Sequence, residues 1–323
     1  MDRSNRRRFF LVILLTLLSV LHLSPTAMAY DLPAVNLGFT TFLDGGPPAG
    51  PGLYFTQYFQ YYHAGKFKDA KGNDLPLPRP DLNAYISLSQ VIYQSNQTVP
   101  LTFGAKWGVD VIIPVVGVDV TYNSIGPLPD SNGAGIGDVL VGPFLQWDPI
   151  MGKDGPILMN RVEFQATFPT GRYDRNKEIN PGSNCFTFNP YWSATLFLTP
   201  KWTVSTRFHY LWSSENDDPN RGFAPARTMQ AGQAIHLNYA TEYEVIPKML
   251  RLGINGYYLK QIADTQADGR DIPDRREQVF AIGPGVLFSF SQNDHLFFNA
   301  FFEMEAENRT QGDRFNLRWV HHF

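Results

Sequence analysis

The feature that most constrains this chain is a set of segments, each roughly ten residues long, whose two faces could hardly differ more. In Ile157 to Phe168, Leu158, Val162, Phe164, Ala166 and Phe168 oppose Arg161, Glu163, Gln165 and Thr167. Successive side chains of a strand point to opposite faces, so this is a strand in two environments. Gln233 to Val245 sets Ile235, Leu237, Tyr239, Tyr243 and Val245 against His236, Asn238, Glu242 and Glu244. His295 to Glu307 sets Leu296, Phe298, Ala300, Phe302, Met304 and Ala306 against Asn299, Glu303, Glu305 and Glu307. Alternation alone fits either a soluble sandwich or a membrane barrel.

The spacing of the strands separates the two. Twelve candidates follow one another: Leu53 to Tyr62, Asn83 to Tyr93, Leu101 to Val120, Asp138 to Trp147, Ile157 to Phe168, Cys185 to Leu198, Trp202 to Trp212, Gln233 to Val245, Leu250 to Ile262, Gln278 to Phe290, His295 to Glu307 and Gly312 to Phe323. Each is long enough to cross a bilayer when tilted. Connections after even-numbered strands are mostly brief, as in Thr199-Pro200-Lys201; those after odd-numbered strands are mostly long and polar, as in His63 to Leu82 or Ser213 to Gly232. Short turns on one side and long loops on the other mark an outer-membrane barrel, and a soluble meander has no reason to show them. The last strand is aromatic and stops on Phe323, so pairing it with the first strand would remove an exposed edge. The expected fold is therefore all-β: a transmembrane, antiparallel, up-and-down barrel of twelve strands. Trp147, Trp202, Trp212, Tyr257, Tyr258 and Trp319 are expected in its interfacial girdles.

Met1 to Ala29 reads as a cleaved signal peptide: Arg3, Arg6, Arg7 and Arg8, an apolar run, then Ala27-Met28-Ala29. Without it the chain keeps 23 basic and 29 acidic residues, a net charge of −6, which does not court nucleic acid. The single cysteine, Cys185, is expected to be a barrel-wall thiol, and no Cys and His pair has metal-ligand spacing, so no metal or cofactor is expected. Residues 30 to 51, rich in Gly and Pro, are expected to be extended, either tucked into the lumen or a loose leader; residues 52 to 323 form the barrel.

The run Gly135-Ile136-Gly137-Asp138-Val139-Leu140-Val141-Gly142-Pro143-Phe144-Leu145-Gln146-Trp147 resembles the outer-membrane family named for a MetA pathway of phenol degradation. The likeness continues through Phe168-Pro169-Thr170-Gly171-Arg172, Asn180-Pro181-Gly182, Phe188-Asn189-Pro190-Tyr191, Gly256-Tyr257-Tyr258 and Gly283-Pro284-Gly285. It implies a transporter-like barrel in the bacterial outer membrane that admits small hydrophobic or aromatic compounds, phenol among them, with no enzymatic step.

Lumen candidates for binding such a compound are Tyr54, Tyr58, Tyr62, Arg161, Glu163, Arg207, His209, His236, Phe297 and Phe301, since aromatics on a polar face offer flat apolar contact with a polar tip. The bland alternative is filler, with Arg161, Glu163, Arg207, Arg251, Glu242, Glu244, Glu303 and Glu305 paired inside a plugged structural or lipid-binding barrel. Pro190 and Gly283-Pro284-Gly285 weaken ladder pairing and are candidates for a lateral opening. A lipid hydrolase would present Ser, His and Asn or Asp to the lipid, and no outward Ser and His pair emerges. Expected partners are outer-membrane lipids and lipopolysaccharide, the barrel-assembly machinery through the strand ending in Phe323, and the small hydrophobic ligand.

Overall fold

A computed structural model describes residues 31–47, 49–123 and 128–323; the expected signal peptide lies outside the described residues. Twelve long strands follow in order: β1 Gly52–Phe67, β2 Asp81–Thr98, β3 Lys106–Thr121, β4 Val139–Gln146, β5 Pro156–Phe168, β6 Thr187–Phe197, β7 Trp202–Ser213, β8 Ala234–Ile246, β9 Leu250–Gln261, β10 Gln278–Ser289, β11 Asp294–Glu307 and β12 Thr310–His322. Every strand pairs antiparallel with its neighbour in sequence, and β12 returns to β1, Tyr54 opposite His322 and Phe59 opposite Leu317. The ring is closed, so no backbone edge is left for lipid to solvate.

Side-chain alternation sets the ring inside out. Phe59, Phe164, Phe208, Ile254, Phe298 and Phe302 point outward with 44% to 55% of their surface uncovered, a band suited only to hydrocarbon. Arg161, Glu163, Arg207, Glu242 and Glu303 point inward and are buried. Glu305 departs from the expected inward row: its φ of 53° and the register shift between β10 and β11 mark a bulge, after which Glu305 is exposed and Ala306 is buried. Tyr257 also departs, facing inward to donate to Glu303 at 2.7 Å instead of joining a girdle. Trp202 and Trp319 do lie outward near the short turns.

The third strand starts at Lys106, later than the alternation suggested, because Leu101 and Phe103 take left-handed backbone (φ 65° and 55°) in an exposed turn. Four prolines leave gaps in the ladder, each on one side only. Pro114 pairs with Leu88 but not with β4, and Pro143 with Val109 but not with β5. Pro190 pairs with Phe164 while the β6–β7 ladder skips from Phe188 to Tyr191; Pro284 pairs with Ile254 while the β10–β11 ladder skips from Ile282 to Gly285. The missing N–H explains the one-sidedness, since a strand residue directs its donor toward a single neighbour.

Residues 31–47 lie inside the ring. Their backbone polar groups, cut off from water, bond to inward side chains of the wall. Gly38 N donates to Asn238 (3.1 Å), Leu43 N to Glu242 (3.3 Å) and Gly45 N to Thr195 (2.9 Å), while Asn316 and Gln60 donate to the carbonyls of Gly38 and Leu37 (3.3 and 3.4 Å). Gly38 has a φ of 79° and the Phe301 ring lies where a Cβ would sit, 2.6 Å away, so only glycine fits this bend. Phe42, 1% exposed, presses on Gly285 in the same way, its ring 2.7 Å from the missing Cβ. At the loop end, Glu277 accepts from the amides of Asp31 and Leu32 (3.1 and 3.0 Å).

Candidate functional site: a divided lumen

The inner segment leans on one side of the ring and leaves space on the other. Toward the loops lies a cavity of about 360 Å³, walled by Ile86, Leu88, Ile112, Pro114, Val116 and Leu140 of β2, β3 and the start of β4. β3 is apolar on both faces: Val111, Ile113 and Val115 meet lipid while Ile112, Pro114 and Val116 meet the lumen, beside the inward Ile86 and Leu88 of β2. Loop residues 178–183 roof the cavity. The roof is tied down by Glu178, which accepts from Asp130 N at 2.9 Å and from Arg221 at 2.5 Å, and by Asp138, which accepts from the amides of Gly171 and Ser183 at 2.8 and 2.7 Å. The volume suits a small molecule, near the lower end of the roughly 300–1,000 Å³ typical of ligand pockets.

A second chamber of about 840 Å³ lies toward the short turns. Thr40, Tyr58, Gln90 and Arg207 line both spaces and form the neck between them. Two contacts close the neck: Tyr58 donates to Gln90 at 2.9 Å, and Arg207 grips Asp44 of the inner segment with two bonds of 2.8 and 2.7 Å. Phe39 meets the Tyr58 ring edge-on at 5.8 Å.

All ten lumen candidates read from the sequence face inward and are buried. They do not form one site. Tyr54, Tyr58, Arg161, Arg207 and Phe297 line the turn-side chamber; Tyr58, Tyr62 and Arg207 line the loop-side cavity. Tyr62 donates to Glu303 at 2.8 Å, and Phe301 packs on Gly38 and on Tyr257, centroids 5.3 Å apart. Glu163 accepts from Tyr191 and from Gln165 (2.8 Å) and lies 3.7 Å from Arg161. His209 and His236 stack at 4.1 Å with neither ring lining either space. Among the described residues no three His, Cys, Asp or Glu side chains are grouped to hold a metal ion.

Of the inward charges, Arg314 with Glu303 (3.3 Å) and Arg251 with Glu244 (3.6 Å) pair across neighbouring strands, whereas Arg207 is neutralised by the inner segment. Asp44 and the aliphatic wall of β2 and β3 are the features that strand-face reasoning missed. The two-sided apolar run Val111 to Val116 was the available signal for the wall; nothing local announced Asp44. Of the lateral candidates, the Asn189 side chain beside Pro190 lines the loop-side cavity, whereas Gly285 is backed by Phe42 and by the Asn299 to Asn255 bond of 2.6 Å. Cys185 is buried ahead of β6 and lines the cavity. Beside the roof, burial pushes the Glu277 carboxyl up to about 7, Arg309 at 3.3 Å opposing the shift only in part.

A closed ring, greasy outside and polar inside, with a divided lumen is a transmembrane β-barrel of the bacterial outer-membrane type. The chain belongs to the family described as "Putative MetA-pathway of phenol degradation", whose model matches residues 64–319. Its fold is similar to that of an outer membrane channel from Pseudomonas putida F1, with 18% identity, a TM-score of 0.69, and 91% of this chain and 98% of that one covered. Weaker likenesses run to the translocator domain of the autotransporter NalP from Neisseria meningitidis (9% identity, TM-score 0.48, 85% and 89% covered) and to a FadL homologue from Pseudomonas aeruginosa (11%, 0.42, 92% and 100%). No curated protein matches the chain.

Proposed function

We propose that the protein is a passive outer-membrane channel for small hydrophobic or aromatic compounds, with residues 31–47 as its plug. The observation that carries this reading is the apolar loop-side cavity, which an aqueous porin has no use for and a purely structural plugged barrel would fill. A molecule entering between the roof loops would bury apolar surface against Ile86, Leu88, Ile112 and Val116. It would then pass the neck when the Tyr58–Gln90 and Arg207–Asp44 contacts part, or leave sideways where the ladder is broken beside the cavity, at Pro190. Tyr54, Phe297 and the neck residues would contact it on the way. No covalent chemistry is involved in this reading.

Uptake of phenol, toluene and a sugar of similar size into vesicles with and without the protein tests the proposal. The apolar pair should enter faster than the sugar, and Val116→Trp, which fills the cavity, should abolish that advantage. Equal rates for the three solutes would overturn it.

A further inference from the structure

The turn-side chamber carries more positive charge than its carboxylates neutralise. Arg161, Arg207, Lys248, Arg251 and Arg318 line it against Asp44 and Glu244. Asp44 is engaged by Arg207 with two bonds of 2.8 and 2.7 Å; Glu244 lies 3.6 Å from Arg251; and Glu163, outside the lining, lies 3.7 Å from Arg161. Arg318 has no such carboxylate among the described residues. Its guanidinium lies on the Phe297 ring, 3.6 Å from the centroid, the residue is 7% exposed, and its Nε has no hydrogen-bond partner among the described residues. The Tyr58 hydroxyl hydrogen-bonds with the guanidinium, and the Asp44 carboxylate, already held by Arg207, acts on it from beyond ion-pair distance; a buried cation with no carboxylate of its own is expensive. A guanidinium that lines a chamber meets that cost when an anion arrives, and its planar fork suits a carboxylate.

We infer that the compounds this channel conducts are small aromatic or alkyl carboxylates, whose apolar body fits the loop-side cavity and whose anionic group is received by Arg318 beyond the neck. This deepens the channel reading and rests on it. A neutral phenol meets only half of the path, because its hydroxyl brings no charge to Arg318.

The test uses the full-length barrel in proteoliposomes and three probes of like size that differ in charge: benzenesulfonate, benzamide and benzyltrimethylammonium. The wild type should admit benzenesulfonate faster than the cation. Arg318→Gln should slow benzenesulfonate by about tenfold or more, as expected for losing one charged hydrogen bond, and leave benzamide within about twofold; Arg318→Lys should keep part of the rate. Equal rates for the three probes, or an Arg318→Gln variant that slows all three alike, would overturn the inference while leaving a channel. If no probe enters faster than into protein-free vesicles, the channel reading falls. Calorimetric titration of benzoate into the detergent-held barrel then decides the remainder: saturable heat in the wild type that Arg318→Gln abolishes supports an anion site, and no heat overturns it.

Discussion

Along β7, β8, β11 and β12 the inward side chains include Arg207, Asn238, Glu242, Asn299 and Asn316; along β2 and β3 they include Ile86, Leu88, Ile112 and Val116. Both rows face one lumen, yet the inner segment docks on the first and stands off from the second. The polar row supplies the partners that a water-starved backbone requires, and an aliphatic row cannot. A barrel can therefore be plugged and still keep a cavity if its inner wall changes character partway round.

Substitutions on the polar side are expected to have the largest effect. Asp44→Ala leaves the buried Arg207 without its carboxylate and should cost docking of the inner segment about 3–5 kcal/mol, read as raised single-channel conductance and as protease cleavage within residues 31–47. Conductance and cleavage unchanged from the wild type would show that the segment is held by packing alone. The next effect is pH-dependent. Burial raises the Glu277 carboxyl from the ordinary range to about 7, so the stability tied to its protonated form is full in acid and lost as pH climbs through about 7. Melting temperature should fall across that window, and Glu277→Gln should flatten the slope; a slope that survives the substitution assigns it to another group. The smallest effect belongs to the aliphatic side. Ile112→Ala, facing a cavity instead of packed neighbours, should cost about 2 kcal/mol, the low end for that truncation, while Phe42→Ala in the packed plug should cost about 3–5 kcal/mol. Equal losses at the two positions would mean that the wall is not divided.

Much of the fold was legible because a strand's period of two is local: the strand count, the facing of Phe164 against Glu163, and the alternation of turns with loops all follow from residues near in sequence. Legibility failed where one local irregularity propagated. The bulge at Glu305 turned the end of β11 over, and left-handed backbone at Leu101 and Phe103 delayed β3. It failed again where the partner is remote, since Asp44 and Arg207 are 163 residues apart.

By itself, then, the sequence determined which face of each strand meets lipid and which meets the interior, because hydrophobic burial acts residue by residue along an extended chain. How the interior is shared out emerges in three dimensions alone: where the inner segment leans, which cation it neutralises, and which side keeps empty space. Those outcomes depend on side chains from opposite walls competing for one backbone, and no local pattern records that competition.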